Sequence, residues 1–242
     1  MVWYFEAQGA SRERNGKGQT QVNVLVIDVG GSNVKIITSD QKERRKFPSG
    51  AALTAEQMVE EVKALASDWK YDAVSIGYPG KVKHERIVAE PHNLGSGWLG
   101  FDFSAAFDCQ VKLINDAAMQ ALGNYRGGSL LFLGLGTGLG SAMIVDDVIV
   151  PMELAHLPYK RKTFEYYVGA SALKRVGVSK WREDVFDVIA KLSAALLPDE
   201  ILLGGGKVKK LDALPPGCRR GANADAFTGG IRLWADGLPR VT

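Results

Sequence analysis

Short runs of apolar, strand-forming residues recur along the first part of the chain, and glycine interrupts them. Residues 22–29 form one run, Gly30 and Gly31 follow with Ser32, and residues 33–38 resume the pattern. Two apolar runs joined by a short glycine-containing turn are typical of a β-hairpin. The pattern therefore predicts that ordered structure begins at about residue 22 with such a hairpin.

Helical spacing marks four longer segments. Thr54 and Gln57 have the capping-box form, and apolar residues at helical spacing follow, so a helix is predicted through about residue 69. Asn115 and Asp116 are suitable caps for a second helix. The remaining pattern predicts helices at 117–125, 181–197 and 222–234, and strands at 73–77, 111–114, 130–135, 141–145 and 201–203.

The strand–glycine turn–strand unit of residues 28–35 recurs at residues 133–145. A chain of 242 residues is long enough for one large domain or for two small lobes. The recurrence favours two lobes, each built around a glycine-turned hairpin.

Composition narrows the class of protein. A hydrophobic fraction of 46% and a charged fraction of 24% are ordinary for a soluble globular chain, and a net charge of +3 is too mild to indicate a nucleic-acid partner. Cys109 and Cys218 lack metal-ligand spacing and are interpreted as reduced thiols. Residues 1–21 contain no signal-like apolar stretch and predict a mobile lead-in. We expect a cytoplasmic protein with no membrane partner.

Three glycine-rich turns follow apolar strands, at residues 30–32, 136–138 and 204–206. Backbone N–H groups at such turns can converge on an anion, and glycine lets phosphate oxygens approach closely. Neither the dinucleotide fingerprint nor the GxxxxGK[ST] motif fits these segments. One such turn alone is more often purely structural, but three of them, with Ser32 and Thr137 inside two, favour phosphate binding.

Five segments resemble, in order and spacing, the motifs of the ROK sugar kinases of the actin-like ATPase superfamily. The segments are IDVGGSNVK at 27–35, NDA at 115–117, LGTGLGS at 135–141, ELAH at 153–156 and LLGGG at 202–206. The resemblance is nearest to the polyphosphate glucokinase-like branch. It implies an α/β fold of the two-lobed actin-like (ribonuclease H-like) type with an interlobe cleft, divided into an N-terminal lobe at 22–115 and a C-terminal lobe at 116–242.

The resemblance also assigns roles to residues. It implies that Asp116 is the general base, which an ordinary Asp pKa near 4 would leave ionised at neutral pH. The sugar-binding residues that it implies are Asn93, Asn115, Asp116, Glu153 and His156. The phosphate- or nucleotide-binding residues are Asp28, Gly30, Gly31, Ser32, Asn33, Lys35, Gly136, Thr137, Gly138, Gly204, Gly205 and Gly206. Asp28 would support Mg²⁺, through water.

Structural interpretations of the same residues stay open. Asp116 could be only a helix cap, Asp28 only a turn former, and Lys35 either a phosphate ligand or a solvated side chain. His84 and His92 are expected at the surface. The basic positions 160–162, 174–175, 207, 209 and 210 could line a track for a polyanion, but charge runs are more often solvated faces.

Two departures from the family pattern affect the expectations. The cysteine cluster that binds zinc in many ROK proteins is absent, so no zinc is predicted, and Ala155 replaces the usual glycine between Glu153 and His156. The chain is also short for the family. Substrate identity is therefore less constrained than reaction type.

The expected activity is Mg²⁺-dependent transfer of a phosphoryl group from ATP or inorganic polyphosphate to the 6-hydroxyl of a hexose, with glucose as the first choice. The alternative is a catalytically inactive sugar-binding or regulatory protein of the same fold. A related kinase acting on another hexose or an amino sugar is a third possibility. The donor and the hexose stay open, and the resemblance suggests a homodimer.

Overall fold

The computed structural model describes residues 22–222, 224–235 and 240–241, so the predicted lead-in at 1–21 lies outside the described residues. A five-stranded mixed sheet forms the first half, in the order β3-β2-β1-β4-β7. Its strands are β1 (Val24–Val29), β2 (Asn33–Thr38), β3 (Arg45–Pro48), β4 (Ala73–Tyr78) and β7 (Gln110–Asn115). A separate small hairpin contains β5 (Val82–Lys83) and β6 (Arg86–Ile87).

A six-stranded sheet forms the second half, in the order β14-β13-β8-β9-β10-β15. Its strands are β8 (Ser129–Leu135), β9 (Leu139–Val145), β10 (Val148–Pro151), β13 (Glu200–Gly204), β14 (Cys218–Arg220) and β15 (Arg240–Val241). A second hairpin contains β11 (Pro158–Tyr159) and β12 (Lys162–Thr163). Both predicted glycine-turned hairpins are present, because β1 pairs antiparallel with β2 and β8 pairs antiparallel with β9.

Six helices and two 3₁₀ turns complete the described part of the chain. The helices are α1 (Ala55–Leu65), α2 (Phe103–Phe107), α3 (Asp116–Asn124), α4 (Phe164–Val168), α5 (Ala170–Leu196) and α6 (Asp225–Arg232). The 3₁₀ turns are Leu154–His156 and Val208–Lys210. No helix in the described residues is both long enough and apolar enough to cross a bilayer.

Helix boundaries differ from the sequence prediction in informative ways. The predicted capping box at Thr54 is present, but α1 ends at Leu65. Helix α5 begins eleven residues earlier than predicted, and Gly177 (φ 77°, ψ 170°) breaks it into two segments. That glycine hides the first segment from a periodicity analysis, because the helical register changes there. Helix α6 begins only at Asp225.

Two cores lie on the outer faces of the sheets, and a third lies between the sheets. The first packs α1 and α2 on the first sheet, and the second packs α4 and α5 on the second sheet. The central core contains α3 and α6 with residues from both sheets, including Val26 and Phe132. Helices α3 and α6 therefore join the two halves of the molecule.

Helix α6 lies against the first sheet although it comes last along the chain. The Ser75 hydroxyl donates to the Gly230 carbonyl at 2.7 Å, and the Trp234 indole N–H donates to the Ser75 hydroxyl at 2.8 Å. Lys112 of β7 donates to the Leu233 carbonyl at 2.7 Å. The chain thus returns from the second sheet to the first, while the lobe boundary at residues 115 and 116 stays a prediction.

Candidate active site

Asp116 is the first residue of α3, directly after the last residue of β7. The helix cap is Asn115, whose Oδ1 accepts from the N–H groups of Ala117 (2.8 Å) and Ala118 (3.3 Å). The Nδ2 group of Asn115 donates to the Gly80 carbonyl at 2.9 Å. Capping is therefore done by Asn115, and the Asp116 carboxylate accepts from the Ala117 N–H at 2.8 Å.

The environment of Asp116 raises its pKa from 3.8 to about 7. Burial of the carboxyl group is the largest cause, followed by the negative charge of Asp28, with a smaller contribution from Glu153. The hydrogen bond from Ala117 opposes the shift. The expectation of an ordinary Asp, ionised without tuning, is therefore wrong. A pKa near neutrality suits a general base, because proton acceptance is then well matched to working pH.

A cavity of about 420 Å³ is lined by Asn115, the residue directly before Asp116, whereas Asp116 is not among its lining residues. One wall comes from the loop and small hairpin after β4, and the other comes from the end of β10 and the residues after it. The lining residues include Gly80, His84, Asn115, Met152 and Glu153. Such a volume, with a few polar groups in a partly apolar wall, is suitable for a small ligand. Asn115 lines the cavity as well as capping α3, and its contact with a sugar stays a prediction.

Glu153 and His156 lie side by side, as their spacing suggested. Residues Leu154–His156 form a 3₁₀ turn, and Glu153 Oε2 lies 4.0 Å from His156 Nε2. Both side chains are about half exposed. His84 and His92 are exposed as expected, although His84 also lines the cavity.

The first glycine turn is held in shape by its neighbours. The Gly30 N–H donates to the Asn33 carbonyl at 3.1 Å, and the Ser49 hydroxyl donates to the Gly30 carbonyl at 2.6 Å. Ser32 is exposed, and the side chain of Asn93 lies beside Gly31. Asn93 is outside the lining of the 420 Å³ cavity, so its sugar contact also stays a prediction.

Asp28, at the end region of β1, is 7% exposed, and its Oδ2 lies 3.0 Å from Lys35 Nζ. Lys35 therefore pairs with a buried carboxylate, and its contact with phosphate stays a prediction. The pair engages one oxygen of the Asp28 carboxylate. A hard cation bound by few carboxylates, water and phosphate oxygens fits that environment. No group of three or more His, Cys, Asp or Glu capable of holding a metal occurs in the described part of the chain.

The hairpin that contains the second glycine turn packs against the helix that begins with Asp116. The Gly136 N–H donates to the Gly138 carbonyl at 3.2 Å, and Thr137 is exposed. A Cβ placed on Gly140 would lie 3.3 Å from the Ala117 side chain. The second hairpin therefore lies directly against the first turn of α3.

Glu165, which the sequence prediction missed, lies at this second turn. Its Oε2 is 3.4 Å from the Leu139 N–H nitrogen, and a Cβ on Gly138 would lie only 2.1 Å from the same oxygen. A side chain at position 138 would displace this carboxylate from the turn. The signal was present in the sequence, since Thr163 with Glu165 in the following turn is typical of a helix start, and Thr163 caps α4.

The third glycine turn lies beside the second. Strand β13 runs parallel to β8, and Gly205 (φ 84°) follows it closely against the Leu135 backbone. The Lys207 N–H donates to the Leu135 carbonyl at 2.9 Å. Only glycine tolerates both the positive φ and the close approach at 205. The second and third turns therefore lie side by side, at the carboxyl ends of the adjacent strands β8 and β13.

Two of the basic positions are engaged within the protein. Lys160 pairs with the buried Asp184, and the Arg175 guanidinium donates to the Tyr166 carbonyl and lies over its ring. These contacts argue against a continuous track for a polyanion through Lys160 and Arg175. A role in polyanion binding for the other basic positions stays a prediction.

Comparison with known proteins agrees with this geometry. The model of the ROK family matches residues 24–150. A polyphosphate glucokinase from Mycobacterium tuberculosis is 28% identical over 236 residues, covering 87% of this chain and 84% of that protein. The same named enzyme from Mycobacterium leprae is 28% identical over 78% of this chain and 65% of its own length.

Solved structures share the fold. An inorganic polyphosphate/ATP-glucomannokinase from Arthrobacter sp. strain KM superposes with a TM-score of 0.75 at 24% identity, covering 87% of this chain and 97% of that one. A ROK family glucokinase from Streptomyces griseus, in complex with glucose and AMPPNP, gives 0.72 at 18% identity, covering 87% and 98%. The molecule has the two-lobed actin-like ATPase fold, and, since the family match spans just over half of the sequence, this chain belongs to the ROK family.

Proposed function

We propose that this protein is a sugar kinase that transfers a phosphoryl group from ATP or inorganic polyphosphate to the 6-hydroxyl of a hexose, with glucose as the preferred acceptor. The observation that carries the proposal is the position of Asp116. It directly follows Asn115, which lines the 420 Å³ cavity, it is close enough to Asp28 for that charge to raise its pKa, and it begins the helix against which the second glycine-turned hairpin packs. The relatives named polyphosphate glucokinase support the acceptor and the donor.

Asp116 would accept the proton of the sugar hydroxyl as it attacks the phosphorus atom. A positioned base of this kind contributes about 10²–10⁴-fold in rate, which corresponds to roughly 3–5 kcal/mol of barrier. Glu153, with His156 beside it, offers a carboxylate and an imidazole to sugar hydroxyls. Asn93 and Asn115 would add amide contacts.

The donor phosphates would bind to the N–H groups and hydroxyls of the glycine turns, at Ser32 and Thr137 in particular. Gly204, Gly205 and Gly206 would face the nucleoside when the donor is ATP. Mg²⁺ is the expected cofactor, and it would neutralise charge on the phosphoryl oxygens when bound. Asp28 is the residue that would hold it through water, with Lys35 limiting the negative charge there. A homodimer and a cytoplasmic location are further proposals from the resemblance.

Replacement Asp116→Asn tests the proposal directly. The amide keeps the shape of the side chain but cannot accept the proton, so we expect turnover to fall by about 10²–10⁴-fold while hexose affinity stays within a few fold. Purified protein would be assayed with a panel of hexoses and with either ATP or polyphosphate, and hexose binding would be measured by calorimetry. Asp102→Asn is a matched control, since Asp102 caps α2 on the outer face of the first sheet.

Full turnover in Asp116→Asn would remove this residue from its role. If the wild-type protein binds hexose but phosphorylates no sugar with either donor, the alternative of an inactive sugar-binding or regulatory protein takes the place of the kinase. Phosphorylation of mannose or an amino sugar in preference to glucose would retain the reaction and change the acceptor.

A further inference from the structure

The segment between Glu153 and Glu165 connects the sugar-facing turn to the second glycine turn. The Leu157 N–H donates to the Leu154 carbonyl at 3.1 Å, which closes the 3₁₀ turn, and the Leu157 carbonyl accepts from the Phe164 N–H at 3.1 Å. The β11–β12 hairpin is thus tied at its base between the two glutamates. Any displacement of this hairpin would move both carboxylates.

The hairpin is fastened to α5 by a charged pair that the proposed chemistry does not use. Lys160 Nζ lies 2.5 Å from Asp184 Oδ1. Asp184 is 3% exposed, next to the fully buried Trp181, whereas the Lys160 side chain is 42% exposed. Within the described residues, Lys160 is the side chain that contacts the Asp184 carboxylate, and Lys180 acts on it through its charge alone. Without Lys160 this buried carboxylate would lose the side chain that contacts it, which is strongly unfavourable.

Aromatic contacts hold the same hairpin. Lys160 Nζ lies 4.8 Å from the centre of the Tyr159 ring and 5.2 Å from that of Tyr167. The Tyr159 hydroxyl donates to Asp187, one turn along α5 from Asp184. The hydrogen bond to Asp184 also raises the pKa of Lys160, so the ammonium stays charged throughout the working pH range. The direction of the Lys160 side chain is therefore fixed from several sides.

We propose that Lys160 and Asp184 are positioning residues for sugar binding, because their pair fixes the hairpin that places Glu153, His156 and Glu165. The inference rests on the proposed kinase function for its kinetic consequence, but its structural consequence is independent of that function. Neither residue belongs to the lining of the 420 Å³ cavity or to the glycine turns, so their effect on the sugar is exerted through the hairpin. This role differs from contact with a polyanionic donor, which the exposed part of Lys160 also permits.

Lys160→Met removes the charge while keeping the length of the stem. We expect the KM for hexose to rise by roughly tenfold, since small displacements of positioning groups are costly, while kcat and the KM for the donor stay within about threefold. Lys160→Arg should keep hexose KM near that of the wild type. Asp184→Asn removes the buried charge and retains an acceptor for Lys160, so its hexose KM should lie between those of the wild type and Lys160→Met. This second variant keeps the proposal testable if Lys160→Met fails to fold.

Lys180→Met is the matched control, because Lys180 pairs with Glu183 at 2.7 Å on the same helix but both side chains are more than half exposed. We expect no change in hexose KM from this variant. Hydrogen exchange over residues 153–165 supplies a readout without catalysis, and Lys160→Met should exchange faster there than the wild type or the control.

Three outcomes would overturn the proposal. Unchanged exchange over residues 153–165 in Lys160→Met would do so whether or not the protein phosphorylates hexoses. A lower melting temperature with unchanged hexose KM would make the pair merely structural. An increase confined to the donor KM would make Lys160 a donor contact. Failure of the kinase proposal would appear instead as an inactive wild type with intact exchange differences.

Discussion

Asp116 lies within a small group of acidic side chains, with Asp28 and Glu153 as the two whose charges raise its pKa. Asp28 is in β1 of the first sheet, and Glu153 follows β10 of the second sheet. The two charges that raise the pKa of Asp116 therefore come from opposite halves of the molecule. Bound Mg²⁺ would act in the opposite direction, since a cation near the carboxylates favours their charged forms. The pKa of the proposed base should therefore be lower when Mg²⁺ is bound near Asp28 than when it is absent.

The pH dependence of catalysis follows from this pKa. Only the ionised form of Asp116 accepts a proton, so kcat/KM should rise with pH up to a midpoint near 7 and level off above it. Steady-state assays at constant ionic strength between pH 5.5 and 9 would measure the limb, on the order of one tenfold change per pH unit below the midpoint. A profile that is flat from pH 5.5 upward would contradict the assignment.

The same pKa predicts a stability effect. The folded chain keeps the Asp116 proton up to about pH 7, whereas the unfolded chain loses it near 3.8. The folded state therefore binds more protons between these values, and its unfolding free energy falls as pH rises through that window. Asp116→Asn abolishes this loss, so the variant should be more stable than the wild type at pH 8 by roughly 2–4 kcal/mol, with the difference vanishing near pH 4.

Urea unfolding of both proteins at pH 4.5 and pH 8 measures the difference. Asp102→Asn, on an exposed cap, controls for the general effect of replacing an aspartate. A variant that is less stable than the wild type at pH 8 would show that the Asp116 carboxylate is stabilised by its surroundings instead of strained by them.

Some of the candidate site was readable from the sequence, and some was not. The glycine turns and the residues inside them follow from local patterns, because hairpin turns are short-range features. The raised pKa of Asp116 was unreadable, because its causes are burial and two charges that lie 88 residues before it and 37 residues after it along the chain. The Lys35–Asp28 pair was likewise open until the strand register placed these residues opposite each other.

At the scale of elements, the contact between α3 and α6 leaves no space for a side chain at two glycine positions. A Cβ on Gly123 would lie 1.9 Å from the Asp225 carbonyl oxygen, and one on Gly229 would lie 1.8 Å from the Met119 carbonyl oxygen. Both neighbours are backbone, so a side chain could be accommodated only if a helix moved. The two helices can approach this closely only because glycine is present at both positions.

Gly123→Ala should therefore destabilise the fold by about 2–3 kcal/mol or more, although alanine has the better helix propensity. Gly50→Ala is the control, because a Cβ there meets nothing within 4 Å. Thermal unfolding of both variants would separate the effects. Equal melting temperatures for the two would mean that α3 and α6 do not pack as closely as described.

The length and the apolar pattern of each element decided whether it could be predicted from the sequence. Strands β1, β2, β4, β8, β9 and β13 were predicted almost to their ends, because each carries a run or an alternation of apolar residues. The small hairpins and α4 were missed, since strands of two residues and a helix of five carry no periodicity. The fold family came from the motif resemblance, and the sheet order that explains the site became visible only in the structure.

At the scale of the molecule, α6 closes the central core between the sheets. It contributes Ala226 and Phe227 to that core, and Gly230 fits against Val26 of β1. Removal of the chain from Ala222 onward would therefore uncover apolar residues of both halves. We expect the truncated protein to lose cooperative unfolding, with both halves affected together.

Circular dichroism during urea titration would test this expectation, together with dye binding to exposed apolar surface. The full-length protein should unfold in one transition. A truncated protein that retains a folded second sheet with an unchanged transition would show that the two halves are independent in stability.

The position of Asp116 at the start of α3 has a mechanical consequence. Helix α3 contacts both sheets, so a rotation of one half relative to the other about the α3–α6 contact would sweep the outer rims of the cleft through a long arc and the start of α3 through a short one. The proposed base would thus stay near the pivot, while the segments proposed to bind the donor and the sugar would move towards it from either side.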